Sequence, residues 1–80
     1  MTARDYRSRI LELLSKRGPD KTICPSELLT GEDKQNPALM EQVRASARAL
    51  AEQNLVEFTQ QGKVVDPTAV KGPIRLRLKR

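Results

Sequence analysis

The residues best equipped for chemistry in this sequence are cations. Arg44 and Arg48 stand four positions apart, and the run Ile74-Arg75-Leu76-Arg77-Leu78-Lys79 alternates apolar with cationic side chains. Residues four apart on a helix share a face. A guanidinium there can grip a phosphate or give guanine two hydrogen bonds, and an Asn or Gln side chain can do the same for adenine. In an extended strand, alternate side chains point to opposite faces, so Ile74, Leu76 and Leu78 share one side and Arg75, Arg77 and Lys79 the other. Such a strand wants a core beneath one face and an anion or water against the other.

Most other chemistry has no residues to carry it. The chain has no histidine, no Gly-rich phosphate loop and no Cys/His/Asp cluster at metal-ligand spacing, so neither enzyme, metal nor cofactor is expected. Cys24, between Ile23 and Pro25, is the one conceivable nucleophile, because a helix starting at Pro25 would lower its thiol pKa. The competing reading makes it a small buried apolar residue. A single cysteine forms no intrachain disulfide and fits a reducing compartment. The opening MTARDYRSRILELL breaks its apolar residues with charges, which excludes a signal peptide or membrane span there, and a cytoplasmic location is expected. Stacking of single-stranded bases needs aromatic platforms, and only Tyr6 and Phe58 exist, both at expected core positions.

The charge is unevenly placed. Lys71, Arg75, Arg77, Lys79 and Arg80 fall in the last ten residues, which contain no acid, whereas the first seventy hold ten bases and ten acids. All of the net +5 therefore sits at the C-terminus. A local cationic surface attracts polyanions without regard to sequence. Cations along an exposed strand edge also discourage sheet extension, which is the alternative use of the same residues.

The elements that must position these groups follow from periodicity. Eighty residues suffice for one domain, residues 1–80. A helix is expected from about residue 3 to 17, with Thr2 as cap, Asp5 three positions on, and Tyr6, Ile10, Leu13 and Leu14 as its apolar stripe. Gly18-Pro19 ends it. The stretch KTIC reads as a short strand and PSELL as a second, short helix closed by Gly31. Asn36 and Pro37 open a third helix reaching about Gln53, with Leu39, Met40, Val43, Ala47, Leu50 and Ala51 on its apolar face. LVEFTQ and PIRLRL then read as two strands of a hairpin with a long, irregular tip, in which Asp66-Pro67 caps one turn ending at Gly72. This order predicts an α+β winged helix-turn-helix: a three-helix core sealed by a C-terminal hairpin wing, with KTIC pairing along the hairpin edge.

The stretches ILELLSKRGPDKTICPSELL and VRASARALAEQNLVEFTQQGKVVD and the ending KGPIRLRL resemble a family of small bacterial winged-helix proteins without an assigned function, over nearly the whole chain. The resemblance implies three helices and a wing. It implies no catalytic residue and no ligand.

In a helix-turn-helix the third helix enters the major groove and a wing touches backbone or minor groove. Here Asn36, Gln42, Arg44 and Arg48 are the base-reading candidates, and Lys63, Lys71, Arg75 and Arg77 would hold phosphates of double-stranded DNA from the wing. Glu41 and Glu52 oppose this, because a helix face pairing Arg44 and Arg48 with acids is merely solvated. The alternative function is protein docking or homodimerisation, through edge pairing of the terminal strand or close approach of another helix over Ala45 and Ala49.

Overall fold

A computed structural model describes residues 6–18 and 20–79. The expected cap at Thr2 and Asp5, the stop at Pro19 and the terminal Arg80 lie outside the described residues. The first helix, α1, spans Tyr6–Arg17 and buries Tyr6, Ile10 and Leu14, spaced four apart on one stripe. Lys16 and Arg17 occupy its last turn, where cations offset the exposed carbonyls. Gly18 ends it in the left-handed region (φ +102°), donating its N–H to the Leu14 carbonyl at 3.0 Å.

The chain then forms β1, Thr22–Ile23, and two successive 3-10 turns, Pro25–Leu28 and Gly31–Gln35. The described residues therefore contain two α-helices, not three. PSELL departs from the α-helix for a packing reason. In a 3-10 turn residues three apart eclipse, so Pro25 and Leu28 sit on one side and are both buried. The next residue, Leu29, is extended (φ −115°, ψ 154°) and turns into the core as well, at 2% exposure. Gly31 opens the second turn at φ +55° instead of closing a helix. That turn, GEDKQ, has no apolar residue, so no packing extends it into a longer helix.

The second α-helix, α2, spans Pro37–Glu52. Asn36 caps it as expected, its Oδ1 accepting from the N–H groups of Ala38 (2.9 Å) and Leu39 (3.3 Å). Val43, Ala47 and Leu50 are buried, with Leu39, Met40 and Ala51 packed beside them. Its C-terminus is a Schellman motif: Asn54, at φ +62°, donates to Ala51 O (3.0 Å) and Leu55 donates to Leu50 O (3.0 Å).

Three strands follow: β2 Val56–Gln60, β3 Lys63–Val65 and β4 Arg75–Leu78. The sheet is antiparallel throughout, in the order β1-β4-β2-β3. The single long-tipped hairpin is thus corrected. Gln61 and Gly62, both at positive φ (53° and 82°), make a tight two-residue turn, and KVV folds back as β3. The long connection lies instead between β3 and β4. Within it Asp66 does cap one turn: its Oδ1 accepts the Thr68 N–H at 2.9 Å, and its carbonyl accepts from Ala69 and Val70.

The terminal alternation behaves as the pattern requires. Ile74 and Leu76 are buried and Leu78 partly so, while Arg75 and Lys79 are exposed. Ile23, Leu76, Phe58 and Val65 form one cross-strand row on the face packed against the helices, with Leu76 directly between Ile23 and Phe58. Because β4 has neighbours on both sides, it is not the open edge strand anticipated for partner pairing. The sheet edges are β1 and β3.

Candidate nucleic-acid interface

The eight residues singled out in the sequence divide between two sides of the sheet. On the helix side stands α2, where Arg44 and Arg48 are about 40° apart around the axis and share a face. Gln42 lies about 200° from Arg44, on the other flank. Arg48 is paired with the Glu41 carboxylate, as the solvated-face reading anticipated for that residue. Arg44 pairs with no acid among the described residues; its Nη2 donates to the Gly72 carbonyl at 3.2 Å, tying α2 to the β3–β4 connection. Asn36 is exposed, but its side-chain oxygen is engaged by two backbone N–H groups, so as a cap it has no free acceptor for a bidentate adenine contact.

The β3–β4 connection carries Lys71, and it is held where it is by β2. Gln60 Nε2 donates to the carbonyls of Lys71 (2.7 Å) and Pro73 (3.1 Å). Gly72, between them, turns the chain at φ +87°. Lys63 pairs across the hairpin with Gln60, so it shares the sheet face of Gln60, the face toward the helices. Lys63 and Lys71 are exposed and neither forms an ion pair among the described residues. Arg44, Arg48, Lys63 and Lys71 therefore belong to one side of the protein.

Arg75 and Arg77 belong to the other. They alternate with the buried Ile74, Leu76 and Leu78, so they project from the sheet face remote from the helices. Arg75 Nε donates to Thr22 Oγ1 at 2.7 Å and its Nη1 lies 3.3 Å from Cys24 Sγ. Arg77 is opposite Glu57 in the β2–β4 register and donates to Glu57 Oε1 through Nη2 (2.9 Å) and Nε (3.3 Å). Lys79 Nζ is 3.6 Å from the other carboxylate oxygen. The Arg77 hydrogen bond, helped by the nearby Lys79, outweighs partial burial and holds the Glu57 carboxyl below its ordinary value of 4.5.

Cys24 is half-buried beside Arg75, on the outer face of the sheet and not in the core. Its N–H donates to Glu27 Oε2 at 2.8 Å, and Glu27 also pairs with Arg17. Burial pushes the Glu27 carboxyl up, but the Cys24 N–H and the charges of Arg17 and Arg75 more than offset it, so the pKa lies below the ordinary range.

Sequence reasoning missed two residues. Glu57 was legible in principle, because once β2 and β4 pair antiparallel it must share a face with one of the terminal cations. Gln60 carried no signal, since its role depends on where an irregular segment passes. No described helix is long and apolar enough to cross a membrane. Among the described residues no group of His, Cys, Asp or Glu is placed to hold a metal ion. No curated protein matches the chain. The family described as "Protein of unknown function (DUF3253)" matches residues 3–79, nearly the whole length, and the chain belongs to it.

Proposed function

We propose that the chain is a winged helix-turn-helix module that binds the phosphate backbone of double-stranded DNA, with α2 as the groove-facing helix and the β2–β3 hairpin and the 66–74 connection as its wing. The 3-10 turn Pro25–Leu28 stands where the second helix of such a fold would be. The observation that supports the reading is the Arg44 to Gly72 hydrogen bond, which ties the backbone next to Lys71 to α2. Contact is largely independent of base sequence, because Asn36 is engaged as a cap, Arg48 is paired with Glu41 and Gln42 faces another flank. Arg75 and Arg77, on the remote sheet face, take no part in gripping the same duplex. The role is that of a cytoplasmic, non-enzymatic regulatory protein.

Titration of a random-sequence duplex tests this, at salt concentrations from about 50 to 200 mM. Each phosphate contact contributes about −0.9 to the slope of log K against log salt, so Arg44, Arg48, Lys63 and Lys71 give a slope of about −2 to −4 and a Kd on the order of 10⁻⁴ to 10⁻⁶ M. The Arg44→Ala/Lys71→Ala variant lowers the slope by about 2, while Arg75→Glu/Arg77→Glu leaves it unchanged. Binding lost only in the second variant, or no salt-dependent binding at all, refutes the reading.

Protein docking is the second reading, favoured by one observation. Val64 is 56% exposed on the edge strand β3. In a two-residue hairpin the closing pair Gln60–Lys63 exchanges hydrogen bonds, so the backbone groups of Val64 point away from β2 toward the open edge. Salt-insensitive self-association abolished by Val64→Lys would support it.

A further inference from the structure

Three successive carbonyls in the β3–β4 connection are held by two side chains from different elements. Gln60 Nε2 has two hydrogens, and one serves Lys71 O at 2.7 Å while the other serves Pro73 O at 3.1 Å. Arg44 Nη2 takes the carbonyl between them, Gly72 O, at 3.2 Å. The backbone of Lys71 is thereby fixed on both sides of the Gly72 turn, although Lys71 itself lies in a nine-residue connection, 66–74, outside the strands. Gln60 belongs to a strand paired on both sides, β3 and β4, so the anchor is rigid. Fixing a loop cation before it meets its ligand removes an ordering cost from binding.

We propose that Gln60 is a positioning residue for phosphate binding: its side-chain amide clasps the Lys71 and Pro73 carbonyls and so presents the Lys71 ammonium beside Arg44. The inference rests on the DNA-backbone reading above and adds a residue that never touches the nucleic acid. Arg44 has two tasks, since one N–H closes the clasp and the remaining donors of its fork are directed to a phosphate oxygen.

A double-mutant cycle tests it, using the full chain and a random-sequence duplex at about 0.1 M salt. One phosphate contact is worth about 8-fold in affinity there, from a slope of about 0.9 per contact. Lys71→Ala is expected to weaken binding about 8-fold, and Gln60→Met, which removes the donors at nearly constant size, about 3-fold to 8-fold. If Gln60 acts only through Lys71, adding Gln60→Met to Lys71→Ala costs nothing further, and the double variant stays about 8-fold weak. Gln60→Asn, too short to reach both carbonyls, gives the same pattern and replaces Gln60→Met if that variant melts before binding is measured. Losses that multiply show that Gln60 acts through general stability and overturn the proposal. A wild-type chain that binds no duplex refutes the DNA reading itself, and the inference falls with it. Those two failures are distinguished by the wild-type titration alone.

Discussion

Truncating Leu76 to alanine tests the architecture on which both proposals stand. Leu76 is fully buried, and its cross-strand neighbours on the core face, Ile23 and Phe58, are at 0% and 1% exposure. Removing three carbons from a site walled on both sides by paired strands leaves a cavity that cannot collapse readily. The upper part of the usual Leu→Ala range applies, about 3–5 kcal/mol. An 80-residue chain at about 0.05–0.15 kcal/mol per residue has only about 4–12 kcal/mol in total, so the loss is a large fraction of it. At about 4–8 °C per kcal/mol the melting temperature falls by about 12 °C or more. Leu78, on the same face but partly exposed at the strand end, provides the internal comparison. Leu78→Ala should cost about half as much or less. Urea unfolding followed by circular dichroism measures both, with an unchanged m-value showing that the denatured state is not the cause. Equal, small losses of about 1 kcal/mol or less at the two positions would show that β4 is not a central strand sealed between β1 and β2.

Acid unfolding of the wild type should contain a contribution from Glu57. Its folded-state pKa lies below the ordinary 4.5, so its pairing with Arg77 and Lys79 stabilises the fold above that pH and is lost as the pH falls through the folded-state value. Glu57→Gln should therefore flatten part of the acid limb while costing about 1 kcal/mol or less near neutrality, and superimposable pH profiles would refute it. Part of the limb remains, because Glu27 and Asp66 are depressed as well. Asn36→Ala should cost about 0.5–2 kcal/mol and expose the Ala38 and Leu39 amides to hydrogen exchange, whereas Asn36→Asp keeps the cap. Unchanged exchange at those two amides in Asn36→Ala would remove the capping argument.

What could be read from the sequence was set by local physics. Asn36-Pro37 fixed the start of α2 because a side-chain acceptor and a residue lacking an N–H satisfy the same helix end. Ile74, Leu76 and Leu78 announced a strand through a period of two, and the structure buries that face. PSELL is ambiguous in sequence because its apolar residues suit either a short helix or a 3-10 turn, and the burial of Leu28 and Leu29 together decides between them only in three dimensions. KVV reads as part of an irregular tip because Gln61-Gly62 lacks the Asn-Gly or Asp-Gly signature, yet both residues adopt positive φ in the folded hairpin. Within the candidate interface, helix periodicity sufficed to put Arg44 and Arg48 together. It could not supply the Gln60 clasp, which joins residues eleven and thirteen positions apart across a loop.

Charge shows most clearly why a linear reading falls short. Counted along the chain, the excess of cations belongs to the last ten residues. In space two of those cations, Arg77 and Lys79, share Glu57, Arg75 turns its guanidinium to Thr22 and Cys24, and Lys71 lies apart from them in the β3–β4 connection. On the helix side Lys63 and Lys71 are without ion pairs among the described residues, and Arg44 donates to a carbonyl that neutralises nothing. A carboxylate opposite an arginine cancels most of its long-range field, whereas a backbone carbonyl leaves the full charge to act. On the proposed reading a phosphate chain is therefore drawn to the side where α2 and the β3–β4 connection meet, and not to the sheet face where Arg77 and Lys79 share a carboxylate.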